Sequence, residues 1–280
     1  FEKTMRWNAS NVAFARPINW IVALLGDQVI PFEFAGVPSG RTSYGARGQG
    51  SPAFTIARAD DYLSQIEAGR IVGEMAARRT EIKRQVDAAA AAVGGRVAPD
   101  DDLLDEVTNL VEQPTAVLCT FEEEFLALPA PVLMAVMRKK QRYFTVLRAD
   151  GAGQGSLLPY FITVRNGPSD HLDEVRKGNE DVVRARFADA AYFFRQDIGR
   201  PLEAYLPRLD TITFQARLGS MLDKTRRIES LVEPIAQQLG LAGQAVTVAQ
   251  KAAHLCKADL ATSMVVEITA LQGVMGREYH

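Results

Sequence analysis

Two stretches of the sequence bring cationic and aromatic side chains close together, "VMRKKQRYFTVLR" at 136–148 and "GNEDVVRARFADAAYFF" at 178–194. Lysine and arginine neutralise phosphates and aromatic rings stack on unpaired bases, so this combination suits RNA better than a small metabolite. Each stretch also has a structural interpretation. The first is typical of a helix end followed by a strand, and the second of an amphipathic helix whose Phe187 and Phe194 face a core. The local residues leave both interpretations open.

The glycine-dense segment "SGRTSYGARGQGSP" carries arginines on a tight loop. It lacks the Gly-Lys-Ser/Thr ending of a P-loop and does not open a helix, so it matches no phosphate-binding fingerprint. We expect a surface loop here.

Acidic residues cluster between 100 and 124, where nine acids occur without a lysine or arginine. The helix candidate "DDDLLDEVTNLVEQ" has acids in its first turn, where the helix dipole favours them. The three consecutive glutamates at 122–124 point in different directions, which is more typical of a solvated face than of a metal site. Cys119 and Cys256 lie far apart without a CxxC motif, so we expect two buried thiols, no disulfide framework and no metal. No nucleophile elbow or closely spaced Cys/His pair indicates a catalytic residue.

Composition limits the class of protein. With 280 residues, 47% hydrophobic and 24% charged, the chain is large enough for one sizeable domain and part of another. It has neither an uninterrupted apolar run of about eighteen residues nor a signal-peptide pattern, which predicts a soluble, cytoplasmic protein without membrane contact. A formal net charge of -2 argues against a freestanding nucleic-acid-binding module, so any such contact requires a local patch.

The order of local patterns predicts an α+β protein. Strand-like runs at 19–25 and 28–34 flank the turn signal Gly26-Asp27 and predict a hairpin. Further predicted elements are a helical region at 59–93, strands at 142–148 and 156–166 on either side of a turn at 150–156, and a helix at 171–177 before a loop-like Gly178-Asn179. From about residue 200 the pattern is helix after helix. We therefore predict a mixed α/β domain at 1–205 and an all-α region at 206–280.

Six blocks in one order carry a resemblance to a known family. They are "MRW" with "FARPINW", "LLDEVTNLVEQP" with "FEEEFLALP", "QRYFTV", "GNEDVVRARFADAAYFF", "FQARLGSMLDKTRRI" and "KADLATSMVVEITALQGVMGREY". Together they run from Met5 to Tyr279 and resemble the β subunit of the bacterial two-subunit glycyl-tRNA synthetase. The chain begins without methionine, so we expect a middle portion that lacks the family's N-terminal part and its anticodon-binding domain.

The resemblance also implies a fold. The α/β part is expected to resemble the editing-type domain of the phenylalanyl-tRNA synthetase β chain, and the later helices a degenerate HD domain. An active HD site needs several His and Asp ligands, but the matching position here is Lys257-Ala258-Asp259, with only His254 and His280 nearby. Lysine is a poor ligand because its amine stays protonated at neutral pH. We expect this region to serve packing or RNA contact, with His254 as a core histidine.

In function, the resemblance implies a non-catalytic subunit. Glycine activation and transfer, with their ATP and Mg²⁺, are expected in the α subunit. This chain would bind tRNA-Gly and position its acceptor end, with no DNA partner. The residues expected to contact tRNA are Arg138, Lys139, Lys140, Arg142, Tyr143, Arg165, Asn179, Arg184, Arg186, Lys224, Arg226 and Arg227. We expect Arg184 and Arg186 to lie in a restrained turn, with Phe193 and Phe194 packed inside.

The sequence departs from the family pattern at two positions. Ala46 and Lys140 stand where relatives carry other residues, often histidine, so no inherited role is assigned to these positions.

Two alternative functions remain open. One is a hydrolase of the editing or HD type, which metal content and activity on mischarged tRNA or nucleotides would reveal. The other is an assembly scaffold that binds the α subunit without RNA contact.

Overall fold

The computed structural model describes residues 3–47, 50–149 and 157–280, and for Lys140 it describes the backbone alone. Helices and strands occur together, which confirms the predicted α+β class. Within these ranges, none of the helices combines the length and apolar character that crossing a membrane requires. The predicted turn at 150–156 and positions 48 and 49 of the glycine-dense segment lie outside the described residues.

Short strands fill the N-terminal part of the chain: β1 (Ile21–Val22), β2 (Leu24–Leu25), β3 (Gln28–Val29), β4 (Glu33–Phe34), β5 (Val37–Gly40), β6 (Thr42–Tyr44) and β7 (Ala53–Thr55). The predicted hairpin is confirmed, because β2 and β3 pair antiparallel around Gly26, whose φ of 61° suits glycine. The two strands predicted at 19–25 and 28–34 are not continuous, because each run is divided into two short strands. β1 pairs with β5 in parallel and β4 pairs with β5 antiparallel, and Pro31, which cannot donate a ladder hydrogen bond, separates β3 from β4.

The next segment is helical and consists of α1 (Tyr62–Ala68), α2 (Met75–Ala91) and, after one strand, α3 (Asp101–Leu110). The helical prediction for 59–93 is confirmed, apart from a break between α1 and α2 where Arg70 adopts a φ of 61°. The helix predicted from the acidic cluster is α3. Its N-cap is Asp100, whose carboxylate accepts the backbone N–H of Leu103 at 2.8 Å.

A four-stranded sheet consists of β8 (Gly95–Val97), β9 (Pro114–Thr120), β10 (Phe144–Arg148) and β11 (Leu157–Asn166), in the spatial order β8-β10-β11-β9. The predicted strands at 142–148 and 156–166 are confirmed as β10 and β11. β10 pairs antiparallel with β8, with Val146 opposite Val97.

The stretch at 136–148 is a helix end followed by a strand, as its structural interpretation predicted. It begins at the end of α4 (Ala130–Val136), continues as a π-helical turn (Met137–Gln141) and enters β10. Arg142 links the turn to the strand in a left-handed conformation, with φ 58° and ψ 40°.

A single helix, α5 (Leu172–Ile198), contains the whole stretch at 178–194. The amphipathic helix is therefore confirmed, whereas the loop predicted at Gly178 and the restrained turn predicted for Arg184 and Arg186 are wrong. Glycine costs a helix interior about 1 kcal/mol relative to alanine. Burial of apolar side chains along α5, Phe187 among them, outweighs that local preference.

The remaining chain is mainly helical, with a 3-10 helix (Leu202–Thr211), α6 (Met221–Gln238), α7 (Gln244–Leu255), a 3-10 turn (Ala258–Ala261), α8 (Ser263–Glu267), a 3-10 turn (Thr269–Leu271) and α9 (Val274–Glu278). The all-helical prediction is wrong at one place, because β12 (Thr213–Gln215) and β13 (Gly219–Ser220) form an antiparallel pair before α6. A buried cluster that includes Leu206, Leu209 and Leu255 forms the core of this region.

A buried carboxylate, Asp197, ties the end of α5 to the later helices. It accepts the backbone N–H groups of Ser263 (2.9 Å) and Met264 (2.8 Å) at the start of α8, and the hydroxyls of Tyr205 (3.3 Å) and Tyr279 (3.0 Å). These donors and the dipole of α8 stabilise a charge that is only 1% exposed. No local pattern in the sequence predicted this contact.

The chain divides into two compact units. The first contains Phe1–Val93, Pro99–Leu118 and Ile162–Val175, and the second contains Gly94–Ala98, Cys119–Phe161 and Arg176–His280, so the division falls within β9, β11 and α5. Residues on both sides of position 205 belong to the second unit. The boundary expected between domains 1–205 and 206–280 stays a prediction.

Candidate nucleic-acid interface

The residues predicted to contact tRNA occupy four places. They are the π-helical turn and the two residues between it and β10 (Arg138, Lys139, Lys140, Arg142, Tyr143), β11 (Arg165), α5 (Asn179, Arg184, Arg186) and α6 (Lys224, Arg226, Arg227). Arg165 belongs to the first unit, where its guanidinium donates to the backbone carbonyl of Asp170. The other residues belong to the second unit. Contact between any of these residues and tRNA stays a prediction.

The cations of the π-helical turn differ in exposure. Lys139 and Arg142 are exposed and Arg138 is half-buried, whereas the side chain of Lys140 lies outside the described part of the chain. Because a π-helical turn and a left-handed residue follow one another here, the backbone fixes where these side chains leave the surface.

Tyr143 is buried and does not present its ring to solvent. The ring stacks on Phe161 with centroids 4.7 Å apart, and its hydroxyl donates to Oδ1 of Asn179 at 2.5 Å. Burial raises the pKa of the Tyr143 phenol to about 12. In this structure the pair joins β10 to α5, so we attribute to Tyr143 and Asn179 the placement of neighbouring cations rather than base stacking.

Two arginines of α5, Arg184 and Arg186, are exposed and lie beside carboxylates. Arg184 donates to Glu122 and, at 2.7 Å, to Asp181, and the Arg184 guanidinium holds the pKa of the Glu122 carboxyl below its usual value. Arg186 lies 3.9 Å from Asp189. Exposed pairs of this kind are weak and screened by salt, so a phosphate can compete for the arginines, but the carboxylates lower the local positive charge.

Packing against the segment after β9 holds α5 in place. The buried ring of Phe187 meets Phe121 edge-on at 5.0 Å and Phe125 at 5.4 Å. On the same side, the backbone N–H of Thr120 donates to the Glu180 carboxylate at 2.9 Å. These contacts bring Glu122 next to Arg184, which sequence spacing could not have indicated. Glu123 and Glu124 are exposed, as the solvated-face prediction requires.

The cations of α6 contact fewer carboxylates. Lys224 Nζ lies 3.9 Å from the centre of the Phe214 ring, and Arg227 donates to the carbonyl of Leu218 at 2.9 Å. Arg226 lies 3.6 Å from Asp223. That acid also forms the N-terminal capping box of α6, which holds its pKa down through the backbone N–H of Ser220. The first two turns of α6 therefore present closely spaced positive charges.

At the position that resembles an HD pair, backbone contacts occupy one oxygen of the acid. Asp259 is buried, its Oδ2 accepts the N–H groups of Gly273 (2.5 Å) and Gly276 (3.2 Å), and its Oδ1 has no hydrogen-bond partner within the described part of the chain. His254 is not the core histidine that the sequence predicted. Its side chain is 48% exposed, and its Nδ1 lies 2.8 Å from Glu229. An amphipathic helix has an exposed side as well, and His254 lies on that side of α7.

The prediction that both cysteines are buried is confirmed for one of them. Cys119 is buried, and its burial raises the pKa of the thiol to about 12, whereas Cys256 is exposed. Cys256 is the C-cap of α7 and directly follows the buried Leu255.

Comparison with known proteins places this chain in a family. The family model described as glycyl-tRNA synthetase beta subunit matches residues 1–280. Relatives named glycine–tRNA ligase beta subunit include those of Clostridioides difficile strain 630 (45% identical over 279 residues), Moorella thermoacetica (44% over 279) and Trichodesmium erythraeum (42% over 283). The alignments cover 99–100% of this chain and 39–40% of these relatives. The chain therefore belongs to the glycyl-tRNA synthetase beta subunit family, and it spans about 40% of the length of the curated relatives that it matches.

Proposed function

We propose that this chain is part of the β subunit of a cytoplasmic glycine–tRNA ligase and that it binds tRNA-Gly. A separate α subunit activates glycine with ATP and Mg²⁺ and transfers it to the tRNA. The observation that carries the proposal is the family match over the whole chain, together with relatives that are named as this subunit. The work of this chain is to hold the acceptor end near the partner's active site, which lowers the entropic barrier of the transfer.

The exposed cations of the second unit support tRNA as the partner. Phosphate contacts supply most of the sequence-independent affinity for nucleic acids, and they need cations that are not already neutralised. The start of α6 meets that requirement best, because Arg226 and Arg227 are exposed and one acid, Asp223, serves the helix cap. Lys139, which is exposed, adds positive charge at the π-helical turn. Arg184 ranks lower, because two carboxylates bind it.

The expected likenesses to an editing-type domain and to a degenerate HD domain are part of this proposal. Asp259 already accepts two backbone N–H groups, which supports a structural role for the HD-like position. Glycine is the smallest amino acid, so its ligase has little need to remove larger amino acids after transfer. We expect no deacylase activity on mischarged tRNA, and hydrolysis by the purified chain would favour the hydrolase instead.

Glycylation of tRNA-Gly tests the proposal. The α subunit is assayed alone, with an intact β subunit that contains this segment, and with the same β subunit carrying Arg226→Ala and Arg227→Ala. We expect glycylation to require β and the double variant to raise KM for tRNA more than it changes kcat. A double variant with unchanged glycylation and unchanged tRNA affinity, but normal binding to α, would instead identify a scaffold.

A further inference from the structure

An open cavity of about 590 Å³ lies in the first unit, and none of the residues considered above for RNA contact lines it. Its walls come from β6 and the residues after it, from α1, and from the ends of α3 and β11. This volume is typical of sites for metabolites and nucleotides. The cavity includes part of the glycine-dense segment, which the sequence analysis assigned only to a surface loop.

Exposed rings dominate one side of the cavity. Trp20 is 42% exposed and Tyr62 is 40% exposed, and the Trp20 ring lies 4.7 Å from that of Tyr44 at an interplanar angle of 59°. Leu63 and Leu110, which line the same cavity, are also exposed. Large apolar side chains that share one concave surface indicate a binding site more than scattered exposed residues do. Exposed aromatic faces stack planar rings, and nucleic-acid bases are the common example.

The charged residues that line the cavity differ in whether they can reach a ligand. The guanidinium of Arg78 belongs to the wall, because it donates to the carbonyls of Val72 (2.5 Å) and Thr108 (2.8 Å). Arg47 is exposed and can turn to a phosphate, to which a guanidinium binds with two parallel hydrogen bonds. Glu112 is exposed as well, and its carboxylate can accept ribose hydroxyls or an exocyclic amino group.

One side-chain amide in the lining is held in a fixed orientation. Oδ1 of Asn166 accepts the backbone N–H groups of Glu112 and Gln113, at 3.0 Å each. The cavity therefore combines stacking surfaces, one adaptable cation, one carboxylate and a fixed amide. A planar base uses both the rings and the polar groups, whereas an amino acid would leave much of the volume empty.

We propose that this cavity binds a single unpaired nucleotide, with its base against the rings of Trp20, Tyr44 and Tyr62 and its phosphate on Arg47. The nucleotide can be a free mononucleotide or an unpaired residue of an RNA, because both have the same chemistry. The cavity alone supports nucleotide binding, whereas RNA as the source rests on the proposed function.

Tryptophan fluorescence tests the proposal on the 280-residue chain. The sequence has two tryptophans, so Trp7→Phe leaves Trp20 as the only reporter. AMP, adenosine, ribose 5-phosphate and a single-stranded RNA trinucleotide are titrated in parallel. We expect saturable quenching by AMP and by the trinucleotide, weaker binding of adenosine, and weakest binding of ribose 5-phosphate. No saturable quenching by either nucleotide ligand would overturn the proposal.

Two variants separate the roles of the phosphate and the base. Arg47→Ala should weaken AMP about tenfold and leave adenosine unchanged, because it removes one charge-assisted contact. Tyr62→Leu should weaken both ligands. The matched control is Arg58→Ala, which removes an exposed arginine of the same unit that does not line the cavity. Equal effects of the two arginine variants would sink the phosphate assignment.

The outcomes separate this proposal from the proposed function. Binding of AMP without binding of the trinucleotide identifies a free nucleotide as the ligand and rejects RNA as the source. Loss of AMP binding in a folded Tyr62→Leu chain, when the intact β subunit with the same change still supports glycylation, supports the cavity assignment and shows that glycylation does not depend on it. Absence of AMP binding in the chain, when the intact β subunit supports glycylation, would reject the cavity proposal alone.

Discussion

Helices α5 and α6 both carry exposed cations, but the surroundings of these cations differ. On α5, Lys177 and Arg184 bind Asp181, and Arg184 also binds Glu122. On α6, Lys224 contacts a ring and Arg227 a backbone carbonyl, neither of which cancels their charge, and Arg226 lies 3.6 Å from a single acid, Asp223. The polar groups of α5 therefore contribute mainly to holding the second unit together, whereas those of α6 remain available to a polyanion. The number of cations in a segment is a poor guide to the charge that a phosphate would meet.

The largest expected effect is a loss of stability when an internal contact of α5 is removed. Asp197→Ala leaves two backbone N–H groups and two tyrosine hydroxyls without their acceptor, so we expect the free energy of unfolding to fall by about 3 kcal/mol. Urea denaturation measures the loss. Asp189→Ala is the control, because it removes an exposed acid from the same helix and should change stability by less than about 0.5 kcal/mol. Similar losses for the two variants would contradict the role assigned to Asp197.

The second effect concerns α6 and the binding of tRNA. Each phosphate contact contributes about 0.7 to 0.9 to the slope of log affinity against log salt, so Arg226→Ala with Arg227→Ala should reduce that slope by about 1.4 to 1.8. Fluorescence anisotropy with labelled tRNA-Gly at several salt concentrations measures it. The double variant Arg96→Ala with Arg200→Ala removes the same charge elsewhere in the second unit. If it reduces the slope equally, α6 has no special role.

Tyr143→Phe sharpens the comparison at the place where β10 meets α5. The variant loses the hydrogen bond to Asn179, and we expect a loss of about 1 kcal/mol in the free energy of unfolding. Affinity for tRNA should change little, because the ring makes no contact with RNA and its stacking on Phe161, which the variant keeps, still holds the neighbouring cations in place. Tyr192→Phe, which alters an exposed tyrosine on α5, should change neither quantity. Weaker tRNA binding by a stable Tyr143→Phe protein would indicate that the Tyr143 hydroxyl contacts tRNA.

The smallest effect is expected for Arg184→Ala, which should weaken tRNA binding less than the α6 variants do. The variant removes the main cause of the lowered pKa of Glu122, so that pKa should rise toward its ordinary value of 4.5. A lowered pKa in the folded state stabilises the protein above the ordinary value, and this contribution is lost as the pH falls through the folded pKa.

The stability difference between wild type and Arg184→Ala should therefore be present at neutral pH and vanish in acid. Unfolding midpoints measured at several pH values from neutral to acidic give this difference in stability. Arg186→Ala is the control, because its partner Asp189 is more distant. A difference that grows on acidification would show that Glu122 is not the partner that matters.

The sequence correctly predicted the helices and strands whose formation depends on neighbouring residues. The hairpin at Gly26, the helix that begins after Asp100, and the strands β10 and β11 follow from turn chemistry, capping and alternation. The loop at Gly178 was wrong because a penalty of about 1 kcal/mol is small beside the apolar burial along a helix of 27 residues. For the candidate site residues, the sequence shows which side chains are cations but not which acids face them, and their contact with tRNA stays a prediction.

The sequence by itself determined the order of the family motifs and the periodicity of most elements, since both are properties of neighbouring residues. Only the tertiary structure decided which side chains remain available. Glu122 and Arg184 are 62 positions apart, and Asp197 and Tyr279 are 82 positions apart, yet each pair is in hydrogen-bond contact. Burial of Tyr143 and exposure of His254 depend in the same way on elements that meet only in the folded chain. Hydrogen bonds and ion pairs act over a few ångströms of space whatever the separation along the chain, so local pattern could not foresee them.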